Sequence, residues 1–373
     1  MAAVRDFEIV LLGATGYTGK LCAEHIAKSL PTDLKWGIAG RSTQKLEALA
    51  TELQALNSDR RPPVKACAVN GTHYMDVTGE FKWIKSMVDQ FHETAKSSGA
   101  ILISGGGMES APADLLTWAM ANSIKEDFNI LTSEVIMTLY ELKAPGFSGG
   151  TLASVLENFG GAEYRHSDPY ELSINRPAAI KSTPIYQKII GAHYVSDIGV
   201  VTTAIAASCD EPIVHRTSSL MPQIFHQNFR FREYMKTRNL FTGIFTHIFI
   251  IIGALSISLA PVRWLLRHYV TTPGQGPPDE SRGSRVEYRG IAKAEHPDPA
   301  RNDVKVLGSY RYEGGPYTMT GVLLAEAGMV LARSKRVTRE IKGGYVTPAA
   351  LEQEYIDRLE KVGIHFQVKL LKD

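Results

Sequence analysis

The sequence predicts an α/β fold: a doubly wound, mainly parallel sheet, then a second α+β domain carrying a long apolar helix. Three observations predict it. Residues 7–19 read as an apolar run, a glycine-rich turn and a helix start. Strand and helix patterns then alternate as far as residue 121. Past residue 148 the texture changes, and residues 239–262 contain no Asp, Glu, Lys or Arg. Alternating strands and helices imply a parallel sheet covered on both faces.

The first element is a strand within Phe7–Leu12, ending at Gly13, Gly16 and Gly19. Leu21, Cys22, His25 and Ile26 follow at helical spacing. Strand, glycine turn and helix together form the Rossmann-type context for a dinucleotide. Gly13 permits the tight turn, Gly16 lets backbone approach a pyrophosphate, and Gly19 lets helix pack on strand. The helix start offers N–H groups and a positive dipole end to phosphates. Gly13, Thr15, Gly16, Tyr17, Thr18 and Gly19 are therefore the candidate cofactor-binding residues. The spacing is Gly-x-x-Gly-x-x-Gly, not the commoner Gly-x-Gly-x-x-Gly, and an ordinary glycine-rich turn is the alternative. A second strand at Leu34–Gly40 strengthens the cofactor reading, because Arg41 and Ser42 stand at its carboxyl end. An acid there would suit a ribose 2′-hydroxyl; Arg41 suits a 2′-phosphate. The expected cofactor is NADP(H), with a solvated loop charge as the alternative for Arg41.

The remaining elements follow from periodicity. Ser42–Asn57 is a helix with Leu46, Leu49, Ala50, Leu53 and Leu56 on one face. Ser58–Pro63 is a turn, Val64–Asn70 a short helix and His73–Val77 a strand. Phe81–Ser97 is a helix and Ala100–Ser104 the next strand, followed by Gly105, Gly106 and Gly107. Leu115–Ala121 is an apolar helix. A helix near Leu152–Phe159 leads into loops with Pro169, Pro177 and Pro184. Val286–Ala294 and Val304–Tyr312 alternate like paired strands. Thr318–Ala332 and Pro348–Val362 are helices, and His365–Leu370 is a closing strand. These elements suggest a dinucleotide-binding domain at 1–147, a second domain at 148–316 and a C-terminal part at 317–373 that packs back on the core.

Bulk properties exclude several classes. The 373 residues suffice for two domains. Lys and Arg number 41 against 39 Asp and Glu, with no basic block, so nucleic acid is not an expected partner. Cys22, Cys67 and Cys209 are too few and too scattered for a disulfide framework or a metal site. His193, His215 and His226 lack metal-ligand spacing, and no metal is expected. The first strand begins within a few residues of Met1, so no signal peptide is read. There is no Gly-x-Ser-x-Gly elbow and no P-loop lysine.

Residues 240–260 would make a helix about 30 Å long, enough to cross a hydrocarbon core. Arg230, Arg232, Lys236 and Arg238 precede it, and Arg263 and Arg267 follow, so charge bias selects no orientation. Three readings stand: a span, an interfacial insertion into a membrane or lipid-droplet surface, and a buried helix over a greasy substrate channel. His247 inside the segment weighs against a plain span. So does the need for the chain beyond it to return to the first domain.

Tyr74, Asp76 and Glu80 sit on or just past a predicted strand, where α/β sheets place ligand-facing groups. They are the candidate catalytic residues: Asp76 or Glu80 to orient the nicotinamide amide or relay a proton, Tyr74 to donate one. A structural role is the alternative for each. Glu109, Ser110 and Asp114 flank a Pro turn, and Asp114 reads as a first-turn helix acid. Ser148–Thr151 reads as an interdomain turn.

Six segments carry a resemblance: GATGYTG (13–19), AGRS (39–42), VKACAVNGTHYMDVTGE (64–80), MESAPADL (108–115), SGGTLAS (148–154) and GGYVTPAA (343–350). Together, and in this order, they resemble the saccharopine dehydrogenase-like oxidoreductases. That family includes bacterial trans-acting enoyl reductases and animal lipid-droplet-associated members. One departure stands out. The family pattern places a third strand, a helix and a fourth strand before the VKAC segment, whereas here Asn57 is separated from Val64 by six residues. Roughly fifty residues are missing relative to that pattern, as an alternative transcript or a mis-joined gene model would produce, with a real compact variant as the alternative. The lost fourth strand would lie beside the first, leaving a truncated sheet with an exposed edge.

The resemblance implies an NADP(H)-dependent oxidoreductase that reduces a C=C, C=O or C=N bond. With the apolar segment, it points to a lipid or polyketide-like substrate met at the cytoplasmic face of a membrane or lipid droplet. A droplet- or membrane-associated nucleotide-binding protein without turnover is the alternative, as is an incomplete isoform. A homodimer is left open.

Overall fold

The computed structural model describes residues 7–40, 42–56, 64–65, 73–149, 151, 156, 168–178, 183–269, 276–277, 283–295 and 303–371. The N-terminal part begins with β1 (Ile9–Leu12), α1 (Tyr17–Ser29), β2 (Trp36–Ala39), α2 (Thr43–Leu56) and β3 (Val64–Lys65). These strands form a parallel sheet in the order β1-β2-β3. Residues 64–65 are therefore strand, not the start of a helix. Pairing Val64 with Gly37 and Lys65 with Ile38 satisfies their backbone and overrides a short helical pattern. Residues 66–72, including Cys67, and residue Arg41 lie outside the described residues, as does most of the helix expected at Leu152–Phe159.

A second group follows: β4 (Tyr74–Met75), α3 (Phe81–Ser98), β5 (Ile101–Ile103) and α4 (Ala111–Phe128). β4 pairs with β5, not with β1. Among the described residues, no strand pairs with the outer edge of β1, and Leu12 at its end is 77% exposed. A doubly wound sheet places its fourth strand at that edge.

The next stretch builds one large sheet from β6 (Thr132–Lys143), β7 (Ala192–Val195), β8 (Gly199–Thr203), β9 (Phe225–Lys236), β10 (Arg285–Ala294) and β11 (Val304–Tyr312). Between them lie α5 (Ile185–Ile190), α6 (Ala207–Leu220), α7 (Leu240–Ser258) and α8 (Ala260–Tyr269). The chain then forms α9 (Pro316–Arg333), α10 (Lys335–Ile341), β12 (Gly344–Val346), a 3-10 turn (Pro348–Leu351), α11 (Glu352–Lys361) and β13 (Ile364–Leu370). β13 completes the seven-stranded order β13-β11-β10-β6-β9-β8-β7, and β12 joins β5 in the order β12-β5-β4. The C-terminal residues thus enter both sheets.

Helix α4 is the centre of the core. Leu115, Leu116, Met120, Ala121 and Ile124 are fully buried, in one cluster with Ile101 and Ile103 of β5 and Val135, Tyr288 and Val306 of the large sheet. Gly290 and Gly308 are cross-strand partners. A Cβ on either would press on Met120, at 2.7 and 2.6 Å, so these glycines let the helix lie close on the sheet. α1 and α9 approach in the same way: a Cβ on Gly321 would come 2.8 Å from the Cys22 nitrogen.

The apolar segment forms α7, capped by a reciprocal box in which Asn239 Oδ1 accepts from the Thr242 N–H at 2.9 Å and the Asn239 N–H donates to Thr242 Oγ1. Only Gly243 and His247 on it are buried. Both face β7 and β8. The Thr202 hydroxyl is 2.8 Å from the Gly243 carbonyl, and Thr203 Oγ1 is 2.8 Å from His247 Nδ1. The rest of α7 is apolar and open, and α8 folds back with Arg263 donating to the carbonyls of Ile257 and Ser258. β9 before this excursion and β10 after it both pair with β6. The two ends of the apolar segment therefore return to the same sheet, which a single crossing of a bilayer would separate.

Candidate active site

The glycine turn has the geometry its spacing predicts. Gly13 takes φ +76°, open to Gly without strain, and its N–H donates to the Ala39 carbonyl at 2.9 Å. The Gly16 N–H donates back to the Gly13 carbonyl at 2.9 Å. A Cβ on Gly19 would fall on that same carbonyl oxygen. A Cβ on Gly13 would meet nothing within 4 Å. Gly16 precedes α1 in extended conformation, and no side chain caps the helix. Open space beside Gly13 therefore lies next to an uncapped helix start, which fits the pyrophosphate of a nicotinamide dinucleotide. Thr15 is exposed on the turn and Thr18 lies in the first turn of α1. Tyr17 packs edge-on against Tyr317 at 5.4 Å and donates to the Pro277 carbonyl. Tyr317 in turn accepts from the Ser148 N–H at 2.6 Å and meets the Thr151 hydroxyl at 2.8 Å. The turn at 148–151 so ties the first helix to the start of α9. Ser42 precedes α2, where its hydroxyl accepts from the Lys45 N–H.

The candidate catalytic residues separate into two groups. Asp76 is a hub at the carboxyl end of β4. Its Oδ1 accepts from the Thr78 N–H and its Oδ2 from the Ser104 hydroxyl, each at 2.8 Å. Ser104 also contacts the Tyr345 hydroxyl. Burial, and then the adjacent Asp76 carboxylate, hold the Tyr74 phenol well above its ordinary range. Tyr74 and Asp76 thus form one unit. Glu80 stands apart, just before α3, and its carboxylate caps nothing.

The loop after β5 needs its three glycines. Gly105 has φ +71°. The Gly106 N–H donates to the Asp76 carbonyl at 2.8 Å, and a Cβ there would overlap Met75. A Cβ on Gly107 would reach Thr320 at 3.0 Å, and the Met108 N–H donates to the Thr320 hydroxyl. The loop carries Glu109 and Ser110 against the large sheet. Ser110 takes φ 87°, a strained value for a non-glycine residue, and its hydroxyl donates to Asp210 Oδ1 at 3.0 Å.

Here the structure gathers residues that sequence reasoning left dispersed. Glu109, Cys209, Asp210, Glu211, Glu233 and Tyr288 surround one another near Gly79, where a Cβ would come 2.7 Å from Glu109 Oε2 and 3.5 Å from Cys209 Sγ. Burial is the main cause of every shift. It pushes Asp210 and Glu211 up to about 7, and Glu109 and Glu233 up as well. The sequence does hold a trace of this: the alternation that buries Phe229 and Phe231 puts Glu233 on the same inward face. Asp114, by contrast, is a structural acid, accepting from the Thr217 hydroxyl and from the Ala349 N–H at 2.8 Å. A cavity of about 180 Å³ is lined by Pro169, Ala207, Ser208, Glu211 and Pro212, so that of these carboxylates Glu211 borders it. A wider hollow of about 690 Å³, lined by His25, Glu326 and Arg358, lies toward the far end of α1 from the glycine turn and apart from these groups. Among the described residues no three His, Cys, Asp or Glu side chains, these carboxylates included, are placed to hold a metal ion together.

No family model matches the chain. Full-length relatives do. A Mycobacterium tuberculosis protein described as a trans-acting enoyl reductase is 29% identical over 425 positions, covering 99% of each chain. The trans-acting enoyl reductase of Mycobacterium ulcerans is 27% identical over 415 positions, covering 97% of this chain and 98% of its own. These full-length relatives support an oxidoreductase similar to the saccharopine dehydrogenase-like family. Apo saccharopine dehydrogenase (L-Glu forming) from Saccharomyces cerevisiae superposes over 98% of this chain and 99% of its own, with a TM-score of 0.49 and 12% identity. The oxidoreductase relatives imply a nicotinamide cofactor, which the open space at Gly13 fits. The 425-position alignment exceeds the 373 residues by 52, so this member is gapped by at least that many positions against the first relative.

Proposed function

We propose that the chain is an NADP(H)-dependent reductase of a C=C bond, or of a C=O or C=N bond, in a lipid or polyketide-like substrate. It meets that substrate at the cytoplasmic face of a membrane or lipid droplet. One observation carries the reading: the cofactor hollow and a broad open apolar surface belong to the same interlocked body. That surface is built by Ile185 and Ile189 of α5, Phe241, Phe245, Phe249 and Ile252 of α7, and Trp264 of α8. No acid occurs between Glu233 and Tyr269, whereas Lys236, Arg238, Arg263 and Arg267 do. Apolar area fringed by cations suits an interfacial helix on anionic lipid. The relatives' description as enoyl reductases supports C=C reduction as the first reaction to assay. Arg41 supports the phosphorylated cofactor, and Tyr74 with Asp76 a site at the carboxyl end of β4.

The test titrates the purified chain with NADPH and NADH, following nucleotide fluorescence, and then offers enoyl thioesters of increasing length. Tight NADPH binding with turnover that rises with acyl length supports the reading. Preference for NADH overturns the cofactor assignment, and turnover restricted to short polar substrates overturns the lipid assignment.

A second reading rests on the edge of β1 that no strand among the described residues pairs with. A strand there would floor the nicotinamide end of the site. A chain without it would keep the phosphate contacts and lose hydride transfer. Binding of NADPH without consumption would favour this reading, that of an incomplete isoform.

A further inference from the structure

A dinucleotide is held by backbone N–H groups at the start of a helix, so its affinity depends on how firmly that start is held before the nucleotide arrives. In α1, helical bonding begins with the Lys20 N–H, which donates to the Gly16 carbonyl at 2.8 Å. The Thr18 and Gly19 N–H groups precede that bond and have no partner within the helix. On the strand side the turn is fixed by its own bonds, from the Gly13 N–H to Ala39 and from the Gly16 N–H to Gly13. On the helix side, three glycines in the seven residues 13–19 offer nothing to anchor with. Tyr17, the first residue of α1, is the one large side chain there.

Two distant chain segments grip Tyr17. Its ring meets Tyr317 of α9 edge-on, with centroids 5.4 Å apart at 80°. It also lies on the backbone of Gly276, where a Cβ would come 2.1 Å from ring carbons. The Tyr17 hydroxyl donates to the Pro277 carbonyl at 3.4 Å, a long bond, so ring packing rather than this bond holds the side chain.

Both arms of the grip run back to residues 146–151. The Tyr317 hydroxyl accepts from the Ser148 N–H at 2.6 Å and meets the Thr151 hydroxyl at 2.8 Å. Ser148 Oγ accepts from the Thr151 N–H at 3.1 Å, which closes this turn on itself. Pro277 is buried, and a Cβ on Gly146 would lie 3.9 Å from its Cβ. Neither Tyr17 nor Tyr317 belongs to the buried clusters around α1 and α4, and both are only half-buried. Core packing does not account for the pair.

We propose that Tyr317 is a positioning residue for the cofactor: together with Gly276 and Pro277 it clamps Tyr17, and so presets the N–H groups of the α1 start for the pyrophosphate. This rests on the dinucleotide reading of the glycine turn. The phosphate site is thus completed from residues about 260 and 300 positions along the chain.

The test compares the full chain with Tyr317→Ala, Tyr317→Phe, Gly276→Ala and Tyr17→Ala. Hydrogen exchange without nucleotide reads the clamp directly. Amides of residues 13–20 should exchange faster in Tyr317→Ala and in Gly276→Ala, while those of α4 stay as in wild type. Fluorescence titration with NADPH reads the consequence. An edge-on aromatic contact corresponds to a factor of about three to ten in an equilibrium, so Tyr317→Ala should raise the Kd about tenfold. Tyr317→Phe keeps the ring and should raise it about threefold. Binding stoichiometry should be unchanged, because damage to folding removes sites rather than affinity. In the Tyr17→Ala background, Tyr317→Ala should have almost no further effect. Unchanged exchange at residues 13–20 in both Tyr317→Ala and Gly276→Ala overturns the clamp. An unchanged Kd, a loss of sites at unchanged Kd, or an equal effect of Tyr317→Ala in the Tyr17→Ala background overturns the positioning role. A wild-type chain that binds no NADPH overturns the dinucleotide reading instead, and hydrogen exchange still decides the clamp on its own.

Discussion

The imidazole of His247 lies directly against the backbone of Gly191, so closely that a Cβ on Gly191 would overlap the ring. Gly191 also has φ +67°, a value that favours glycine. His247 is the ionisable residue inside the apolar helix. Its burial against β8 and its bond to Thr203 explain how α7 tolerates it. Gly191→Ala should therefore destabilise the protein by about 2 kcal/mol or more, from strain and overpacking together. Urea unfolding, with loss of α7 packing read by tryptophan fluorescence, checks this. An unchanged midpoint would show that α7 does not depend on this contact.

Gly19→Ala tests the cofactor hollow. The added methyl would fall on the Gly13 carbonyl, whose place is fixed by the Gly16 N–H. Backbone must move, and the helix start leaves the phosphate position. NADPH affinity is expected to drop at least about tenfold, the loss of a single good hydrogen bond to charge. Gly13 has open space around its Cβ position, so Gly13→Ala should cost mainly backbone strain. Calorimetric titration of both variants separates steric loss from strain.

These sites differ in how far the sequence revealed them. The glycine turn was legible because three residues at fixed spacing, between a strand and a helix, are a local property. The core role of α4 was partly legible from its apolar run, though the helix extends beyond the expected stretch in both directions. The Tyr74–Asp76 pair was legible from strand alternation. The carboxylate cluster was not, since Glu109 and Glu233 are 124 positions apart and come near one another only in the folded chain. Strands β6 and β9 themselves went unread: long strands buried on part of each face lack the clean alternation that marks an edge hairpin. That no strand among the described residues pairs with the outer edge of β1 was expected from the family pattern, not from the residues, because a missing strand leaves no trace in local periodicity.

Asp114 gives the protein a pH-dependent stability. It is wholly buried, and desolvation pushes its carboxyl from 3.8 up to about 7 despite hydrogen bonds from Thr217 and Ala349. Between these values the folded state keeps a proton that the unfolded chain has released. Stability from this group is thus fully present below pH 3.8 and falls as pH rises toward about 7. A shift of about three units corresponds to something on the order of 4 kcal/mol. Asp210 contributes in the same direction. Asp114→Asn should flatten part of this slope, because an amide keeps an acceptor for the Ala349 N–H and has no charge to bury. Urea midpoints at about pH 5 and about pH 7.5 measure it. Equal pH slopes in variant and wild type would refute the assignment.

The open face of α7 makes the last prediction. Phe241, Phe245 and Phe249 follow at intervals of four along the helix, and each is well over half exposed. They support no packing, so replacing all three with Ser should leave the melting temperature within a few degrees of wild type. Their effect on lipid should be large. Burying each ring in an acyl boundary contributes about 1.5 kcal/mol or more, so the triple variant should bind vesicles roughly a thousandfold more weakly. The basic fringe predicts that wild-type flotation is stronger on vesicles containing phosphatidylserine than on phosphatidylcholine alone, and that salt weakens the difference. Since β9 and β10 both return to β6, neither end of α7 should become protected from added protease on binding. Protection of one flank would mean that the segment crosses the bilayer after all. Flotation unchanged by the triple substitution would move the lipid contact away from this face.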